Sequence, residues 1–302
     1  MSHLRYLDYL FITRPVLMPP VWTILLLGYQ RAIFYSGEKE NISWVFVLIF
    51  FLIGGIYILN QIFDKKSDLL NKKLFFLSSG FVKDPEAWIE ATSFIFLSVC
   101  CAFFISTNLG ILFVLGFFLG YLYSCPPFFL KNRPLLGFLS NASGHGCLVF
   151  LIGWQINSNI NFEALLFSLP YFLAVSAVYL NTTLPDIEGD RKTSKITLGV
   201  KLGVLRVSFI SSILVLISIF LSLSFKDYPF FFSALLSFPF FIRAFLTKKE
   251  KNIILSTKSA VLFLSIIAGI YHLWYFLVLI VGFFGTRLYY KKRFGMTYPT
   301  LT

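Results

Sequence analysis

Residues 44–68 read WVFVLIFFLIGGIYILNQIFDKKSD, and this stretch decides the fold class. Its first part, Trp44–Phe63, is almost entirely apolar and has about the 20 residues that a helix needs to cross a bilayer. Its last part carries Asn60, Asp64 and Asp68 at intervals of four residues, so that all three fall on one helix face. The stretch therefore predicts a transmembrane helix that ends in an acidic cluster.

The composition extends this interpretation to the whole chain. The 302 residues are 57% hydrophobic and only 13% charged, whereas a soluble domain has about a quarter of charged residues. The mean hydropathy of +0.79 is typical of a polytopic membrane protein and excludes a soluble enzyme and a disordered chain. The net charge of +12 fits basic loops at an anionic leaflet, and so apolar a chain disfavours nucleic acid as a partner.

We expect an all-α membrane bundle, with residues 1–302 forming a single domain of nine transmembrane helices, or ten. The last apolar stretch is long for one span and short for two, and it would divide near Tyr271–His272. The predicted spans are Val16–Phe34, Trp44–Phe63, Ala87–Ser106, Leu109–Ser124, Leu135–Gln155, Phe162–Leu184, Gly203–Phe225, Tyr228–Leu246 and Ser259–Tyr290.

The basic residues predict the orientation. With the N-terminus inside, the outside connections hold only Arg31, Lys39 and Lys226, while the other loop lysines and arginines lie inside. The run 291–293 also lies inside if there are ten helices. We therefore expect a multi-pass protein of the cell (inner) membrane, with its N-terminus, its charged loops and any active-site cavity on the cytoplasmic side.

The few acids form two clusters, each at the inside end of a span. The second cluster, residues 181–192, reads NTTLPDIEGDRK and repeats the four-residue spacing in Asp186 and Asp190. Like charges four residues apart repel on a helix, and a cation between the two faces would relieve this repulsion. Oxygen-only ligands suit Mg²⁺ better than zinc or copper. The alternative is that the acids are solvated or paired with lysines such as Lys65 and Lys66.

These motifs resemble those of the UbiA superfamily of intramembrane prenyltransferases, which carries NDxxDxxxD after its second helix and DxxxD after its sixth. Here the first motif reads NQIFDKKSD and the second DIEGDRK, followed by TSKITLGVKLG. A third stretch, YSCPPFFLK at 123–131, resembles the family's YSxPPxRLK. Gln61 replaces the family's first aspartate, and Phe75 and Phe129 stand where the family has arginines, with Lys72 and Lys73 close to the first of these.

The resemblance implies transfer of a polyprenyl group from prenyl diphosphate to a lipophilic or aromatic acceptor, with Mg²⁺ assisting the departure of diphosphate. It implies four catalytic acids that also hold the metal, Asp64, Asp68, Asp186 and Asp190, with Asn60 as a further ligand. The candidate substrate-binding residues are Lys131, Tyr123, Arg191, Lys192, Asn181 and His145. For His145, packing or a satisfied hydrogen bond is the alternative to acceptor binding.

Several functions stay open at this point. The acceptor is an aromatic quinone precursor or a related lipid-pathway compound. A membrane terpene cyclase would use the same ionisation without an acceptor, and the missing arginines are compatible with it. A lipid-binding or transport protein is the third alternative, but its charges would be expected near the bilayer midplane rather than at one face.

Overall fold

The computed structural model of the protein describes residues 2–70, 75–192 and 195–299, with the side chains of residues 2, 3, 66, 67, 70 and 75 outside that description. Throughout these ranges the regular structure is helical. The α-helices are α1 (Leu7–Ile12), α2 (Met18–Ser36), α3 (Ser43–Leu70), α4 (Phe75–Ser78), α5 (Asp84–Ile105), α6 (Thr107–Ser124), α7 (Pro134–Asn141), α8 (Val149–Trp154), α9 (Phe162–Thr182), α10 (Ile187–Lys192), α11 (Leu198–Ser224), α12 (Tyr228–Thr247), α13 (Glu250–Tyr271) and α14 (Leu273–Phe294).

Ten helical segments in these ranges are long and apolar enough to cross a membrane, which confirms the predicted fold class. The last apolar stretch is two helices, because α13 ends at Tyr271 and α14 begins at Leu273. His272 separates them with a non-helical backbone. The expected division near Tyr271–His272 is confirmed, and of the two predicted counts the described residues favour ten.

The chain divides into two compact units. Unit 1 comprises Met1–Pro19, Ser43–Cys125 and His272–Thr302, and it contains the first acidic cluster. Unit 2 comprises Pro20–Ile42 and Pro126–Tyr271, and it contains the second. The single domain over residues 1–302 stays a prediction.

In unit 1, α14 is fixed to α1 by a buried polar contact inside an aromatic cluster. The Asp8 side chain is fully buried and accepts hydrogen bonds from the Tyr289 hydroxyl (2.5 Å) and the Arg293 guanidinium (2.9 and 3.1 Å). The Phe11 ring stacks on the Tyr289 ring with 3.7 Å between centroids. Because the buried Asp8 carboxylate is hydrogen-bonded, its burial is tolerated, and the contact fixes the position of α14 against α1.

In unit 2, glycines allow three helices to approach closely. A Cβ on Gly153 would overlap the Leu25 carbonyl of α2, and a Cβ on Gly28 would overlap the Phe150 carbonyl of α8. A Cβ on Gly146 would lie 2.7 Å from Cα of Phe172 in α9. Membrane helices associate through such close packing, since lipid offers no hydrophobic driving force between them.

A buried aspartate, Asp227, is the N-cap residue of α12. Asp227 accepts hydrogen bonds from the Phe230 N–H (3.2 Å) and from the Tyr171 hydroxyl (2.9 Å). Burial raises the pKa of Asp227 above its usual range, and the two hydrogen bonds and the nearby charge of Arg31 offset only part of this rise. Arg31 in turn donates to the Phe225 carbonyl at 2.6 Å, which fixes the turn before α12.

Candidate active site

The first acidic cluster lies on the last turns of α3, in unit 1. Asn60, Asp64 and Asp68 are helical throughout, so the predicted shared face is present. Asp68 is only 9% exposed, and Asp64 is half-buried. The Asn60 side-chain oxygen accepts a hydrogen bond from the Ser124 hydroxyl of α6 at 3.1 Å. The result is a row of oxygen ligands, which is the donor set that Mg²⁺ prefers.

Gln61 has a structural role that explains its place in the motif. Its amide nitrogen donates to the carbonyls of Ile12 (2.7 Å) and Tyr57 (3.0 Å), and its side chain is 1% exposed. The side chain thus points to the start of the chain instead of joining Asn60. An aspartate, which has no N–H to donate, could not make these bonds.

Lys65 does not neutralise the acidic cluster on its own helix. Its ammonium bonds both carboxylate oxygens of Asp84 at the start of α5, at 2.8 and 3.1 Å. Both side chains are well exposed, at 40% and 52%. The structure therefore assigns this lysine to a surface ion pair. The structure does not describe the side chains of Lys66 and Phe75. Lys72 and Lys73 lie outside the described residues altogether.

Arg14 is a candidate functional residue that the sequence interpretation did not include. It lies in the turn between α1 and α2 with a left-handed backbone (φ 58°), and its guanidinium is 6.0 Å from the centroid of the Tyr57 ring. The guanidinium interacts electrostatically with Asp64 and Asp68. Its Nε and Nη2 atoms are buried and have no hydrogen-bond partner among the described residues. Buried donors of this kind are rarely left unsatisfied in proteins, so they mark a place for an anion.

In the sequence, Arg14 is one of many inside basic residues, and its spacing does not connect it with Asp64. The signal that could have found it is its position directly before Pro15, at the start of the first long apolar helix. The residues next to it pack on the acidic helix, since Ile12 bonds Gln61 and a Cβ on Gly54 would contact Thr13. This packing brings an arginine that is distant in sequence close to the carboxylates.

The second acidic cluster lies in unit 2, between α9 and α11. The Asp190 N–H donates to the Asp186 carbonyl at 2.8 Å, which is the helical turn that the four-residue spacing predicts. Asp190 is 5% exposed; its carboxylate accepts from the Thr197 hydroxyl at 3.3 Å and lies 3.7 Å from the Lys195 ammonium. Asp186 is half-buried. Asp190 therefore also fixes the start of α11, where Thr197 is the N-cap residue.

The third motif forms the end of α6 and the following loop. Tyr123 is half-buried in the last turn of α6. Lys131 is only 3% exposed, although it is a lysine, and its ammonium is 5.9 Å from the centroid of the Phe129 ring. Phe129 has a left-handed backbone (φ 40°), a conformation unfavourable for a bulky residue. Lys131 is thus a buried cation beside the prolines and aromatic residues of the third motif, and as a point charge with three N–H donors it is chemically able to bind an anion.

The other candidate substrate-binding residues differ in burial. Asn181 is 1% exposed and donates to the Ser256 hydroxyl of α13 at 2.9 Å, so it connects α9 to α13. Arg191 and Lys192 are exposed at the end of α10. His145 is half-buried on a π-helical turn, Ala142–Leu148, between α7 and α8. Such turns are frequent at functional sites in membrane and soluble proteins.

The side-chain oxygens of the two acidic clusters are chemically suited to Mg²⁺, but among the described residues they do not form a site in which protein residues supply every ligand. In the described part of the chain, no three His, Cys, Asp or Glu residues converge as a metal site. Mg²⁺ usually takes one or two carboxylates and completes its shell with water and substrate phosphates. The pairs Asp64 with Asp68 and Asp186 with Asp190 fit that requirement.

Comparison with known proteins decides the family. The model of the UbiA prenyltransferase family matches residues 16–266. The chain belongs to the UbiA prenyltransferase family. With its ten apolar helices, this UbiA-family chain is a multi-pass integral membrane protein.

Curated relatives of this UbiA protein include plant and archaeal enzymes. A probable homogentisate phytyltransferase 2 from Oryza sativa is 30% identical over 194 residues, which are 58% of this chain and 50% of the relative. A digeranylgeranylglyceryl phosphate synthase from Methanosarcina mazei is 31% identical over 193 residues, 63% of this chain and 64% of the relative. The chain thus spans about half to two thirds of the length of these relatives.

Solved structures share the UbiA fold. A UbiA homolog from Archaeoglobus fulgidus, bound to GPP and Mg²⁺, superposes with a TM-score of 0.65 at 21% identity, covering 91% of this chain and 100% of that one. A second structure of a UbiA homolog from the same organism gives a TM-score of 0.68 at 20% identity, covering 92% and 100%. At this level of identity the comparison shows the fold.

Proposed function

We propose that this protein transfers a polyprenyl group from a prenyl diphosphate to an acceptor within the membrane, with Mg²⁺ as cofactor. The observation that supports the proposal most strongly is the Arg14 guanidinium, which interacts electrostatically with Asp64 and Asp68 and has buried N–H groups without a partner in the described residues. Arginine donors bind anions, whereas a pair of carboxylates binds a cation. A diphosphate that carries Mg²⁺ satisfies both at once.

The reaction requires a diphosphate to leave. The allylic C–O bond of the donor breaks with its electron pair on the diphosphate, and the nucleophilic atom of the acceptor bonds the allylic carbon and loses a proton. When bound, Mg²⁺ would supply positive charge that stabilises the leaving diphosphate. We assign Asn60, Asp64 and Asp68 in unit 1 and Asp186 and Asp190 in unit 2 as candidate ligands, so that each cluster offers two carboxylates to a Mg²⁺ ion.

Basic side chains of the protein would add to the positive charge around the diphosphate. Arg14 and Lys131 are the basic residues best suited to the diphosphate: Arg14 has buried N–H groups without a partner among the described residues, and Lys131 is a buried cation. Arg191 and Lys192 are exposed, and we assign them to the approach of the anionic donor. The Tyr123 ring supplies an aromatic face for the allylic cation.

The acceptor is assigned to the π-helical turn in unit 2. A Cβ on Gly144 would meet no atom within 4 Å, whereas Gly146, two residues on, is pressed against α9. Ser143 and His145 beside Gly144 are half-buried in the middle of a span, where polar groups are costly unless they serve a ligand or a partner. We assign His145 to an acceptor of the aromatic quinone-precursor class or a related lipid-pathway compound, with Asn181 as a further polar contact.

A product analysis tests the reaction. The purified protein is incubated with Mg²⁺, radiolabelled geranylgeranyl diphosphate and either homogentisate, 1,4-dihydroxy-2-naphthoate or a glyceryl phosphate ether, and the lipids are separated. A prenylated acceptor supports the proposal. A hydrocarbon formed without any acceptor would identify a terpene cyclase instead, and no consumption of any prenyl diphosphate would contradict both.

We further propose that the acidic clusters face the cytoplasm in the cell membrane. The proposal follows from the basic loops, since only Arg31, Lys39 and Lys226 lie in the predicted outside connections. In intact cells, and with the four native cysteines replaced, a membrane-impermeant maleimide should label a Lys39→Cys variant and leave Lys248→Cys unlabelled. The reverse labelling would overturn the orientation.

A further inference from the structure

The segment 295–299 follows α14 and folds back against it. Gly295 has a left-handed backbone (φ 69°) that ends the helix, and the Met296 N–H donates to the Tyr290 carbonyl at 3.3 Å. The Tyr298 ring then lies 4.9 Å from the Tyr290 ring, measured between centroids, and Pro299 is buried. The segment is thus a packed part of unit 1.

The position of this segment is fixed by the aromatic cluster that connects α14 to α1. The Phe11 ring stacks on Tyr289 and meets Tyr290 edge-on at 6.1 Å. Phe11 lies three residues before Arg14. Tyr298 is therefore connected, through the rings of Tyr290 and Phe11, to the segment that leads into the turn carrying Arg14.

Tyr298 shares the electrostatic environment of the candidate donor site. Its phenol interacts with the Arg14 guanidinium, which also interacts with Asp64 and Asp68. Tyr298 is 38% exposed, so its side chain is accessible to a ligand. A phenol in this setting can donate a hydrogen bond to an anion without bringing in a charge.

We propose that the hydroxyl of Tyr298 donates a hydrogen bond to the diphosphate of the prenyl donor bound at Arg14, Asp64 and Asp68. The proposal rests on the proposed function, and it adds a donor-binding residue from outside residues 16–266, the part that the family model matches. According to this proposal, segment 295–299 contributes to the donor-binding site in addition to packing against α14 in unit 1.

The test measures binding apart from turnover. The affinity of the full-length protein for a non-reactive prenyl thiolodiphosphate is determined with Mg²⁺ present, by competition with a labelled donor. Tyr298→Phe keeps the ring contact with Tyr290 and removes only the hydroxyl, and it should weaken binding by about ten-fold, the effect of one hydrogen bond to a charged group. Tyr6→Phe, at an exposed tyrosine of the same unit, should bind like the wild type.

The outcomes separate the two proposals. Wild-type affinity in Tyr298→Phe, or an equal loss in Tyr6→Phe, overturns the role of Tyr298 and leaves the proposed function standing. A wild-type protein that binds no prenyl thiolodiphosphate of any chain length overturns the proposed function and this inference with it. If Tyr298→Phe is unfolded, Tyr298→His, which keeps an aromatic ring with an N–H donor, is measured; ten-fold weaker binding in that folded variant overturns the role.

Discussion

The guanidinium of Arg14 lies 6.0 Å from the centroid of the Tyr57 ring, and Tyr57 is on the same face of α3 as Asn60, Asp64 and Asp68. The ring shields one face of the guanidinium, and Asp64 and Asp68 supply opposite charge nearby. The edge of the guanidinium that carries Nε and Nη2 has no partner in the described residues. A cation held in this way is available to an anionic ligand, and the account of function depends on it.

Replacing Arg14 should therefore impair donor use more than acceptor use. Arg14→Lys keeps the charge but loses the planar fork of donors, and we expect kcat/KM for the prenyl diphosphate to fall by about 100-fold. The KM for the acceptor should stay near the wild-type value. Steady-state kinetics with each substrate varied in turn check this, and equal losses for both substrates would indicate that Arg14 acts only through the fold.

The buried contact at Asp8 should contribute strongly to stability. Asp8→Ala leaves the Arg293 guanidinium and the Tyr289 hydroxyl without their acceptor, and about 2–4 kcal/mol of unfolding free energy should be lost. Thermal unfolding in detergent measures the effect. Asp84→Ala, which breaks the exposed pair with Lys65, is the matched control and should change stability little, as exposed pairs do.

The close helix contacts in unit 2 predict that replacing a glycine at a helix contact lowers stability more than replacing a glycine with open space around it. Gly153→Ala puts a methyl group into the Leu25 carbonyl of α2, so we expect a large loss of stability and of folded yield. Gly282→Ala in α14 meets no atom within 4 Å and should be neutral or slightly stabilising, because alanine favours helix. Detergent-solubilised yield and melting temperature compare the two, and equal effects would contradict the close packing.

The raised pKa of Asp227 predicts a pH dependence of stability. The folded state holds the proton more tightly than the unfolded chain does, so this contribution is complete below the ordinary aspartate pKa of 3.8 and is lost as pH rises through the higher folded pKa. Asp227→Asn keeps an acceptor for the Phe230 N–H and removes the titration. Its melting temperature should fall less than that of the wild type between about pH 4 and pH 7, and parallel curves would contradict the shift.

Hydropathy and motif spacing predict the helices and the acidic clusters of this protein, because both depend on residues that are close in sequence. Apolar runs of bilayer length are helices, the break at His272 divides the last run, and Asp186 and Asp190 share a turn as their spacing requires. The roles of Gln61 and Arg14 depend on the packing of the chain's start against α3. The periodicity of a single helix does not contain that information. The same holds for the contact of Tyr298 with Tyr290, which depends on how the chain folds back after α14.

The central claim is that the acidic clusters act on a metal-bound diphosphate. The most direct measurement is the Mg²⁺-dependent release of diphosphate from a prenyl diphosphate by purified wild type, Asp64→Asn, Asp186→Asn and the surface control Asp84→Asn. We predict release in the wild type and in Asp84→Asn, and a loss of at least about 100-fold in each of the other two. Release at the wild-type rate in Asp64→Asn or Asp186→Asn would contradict the account.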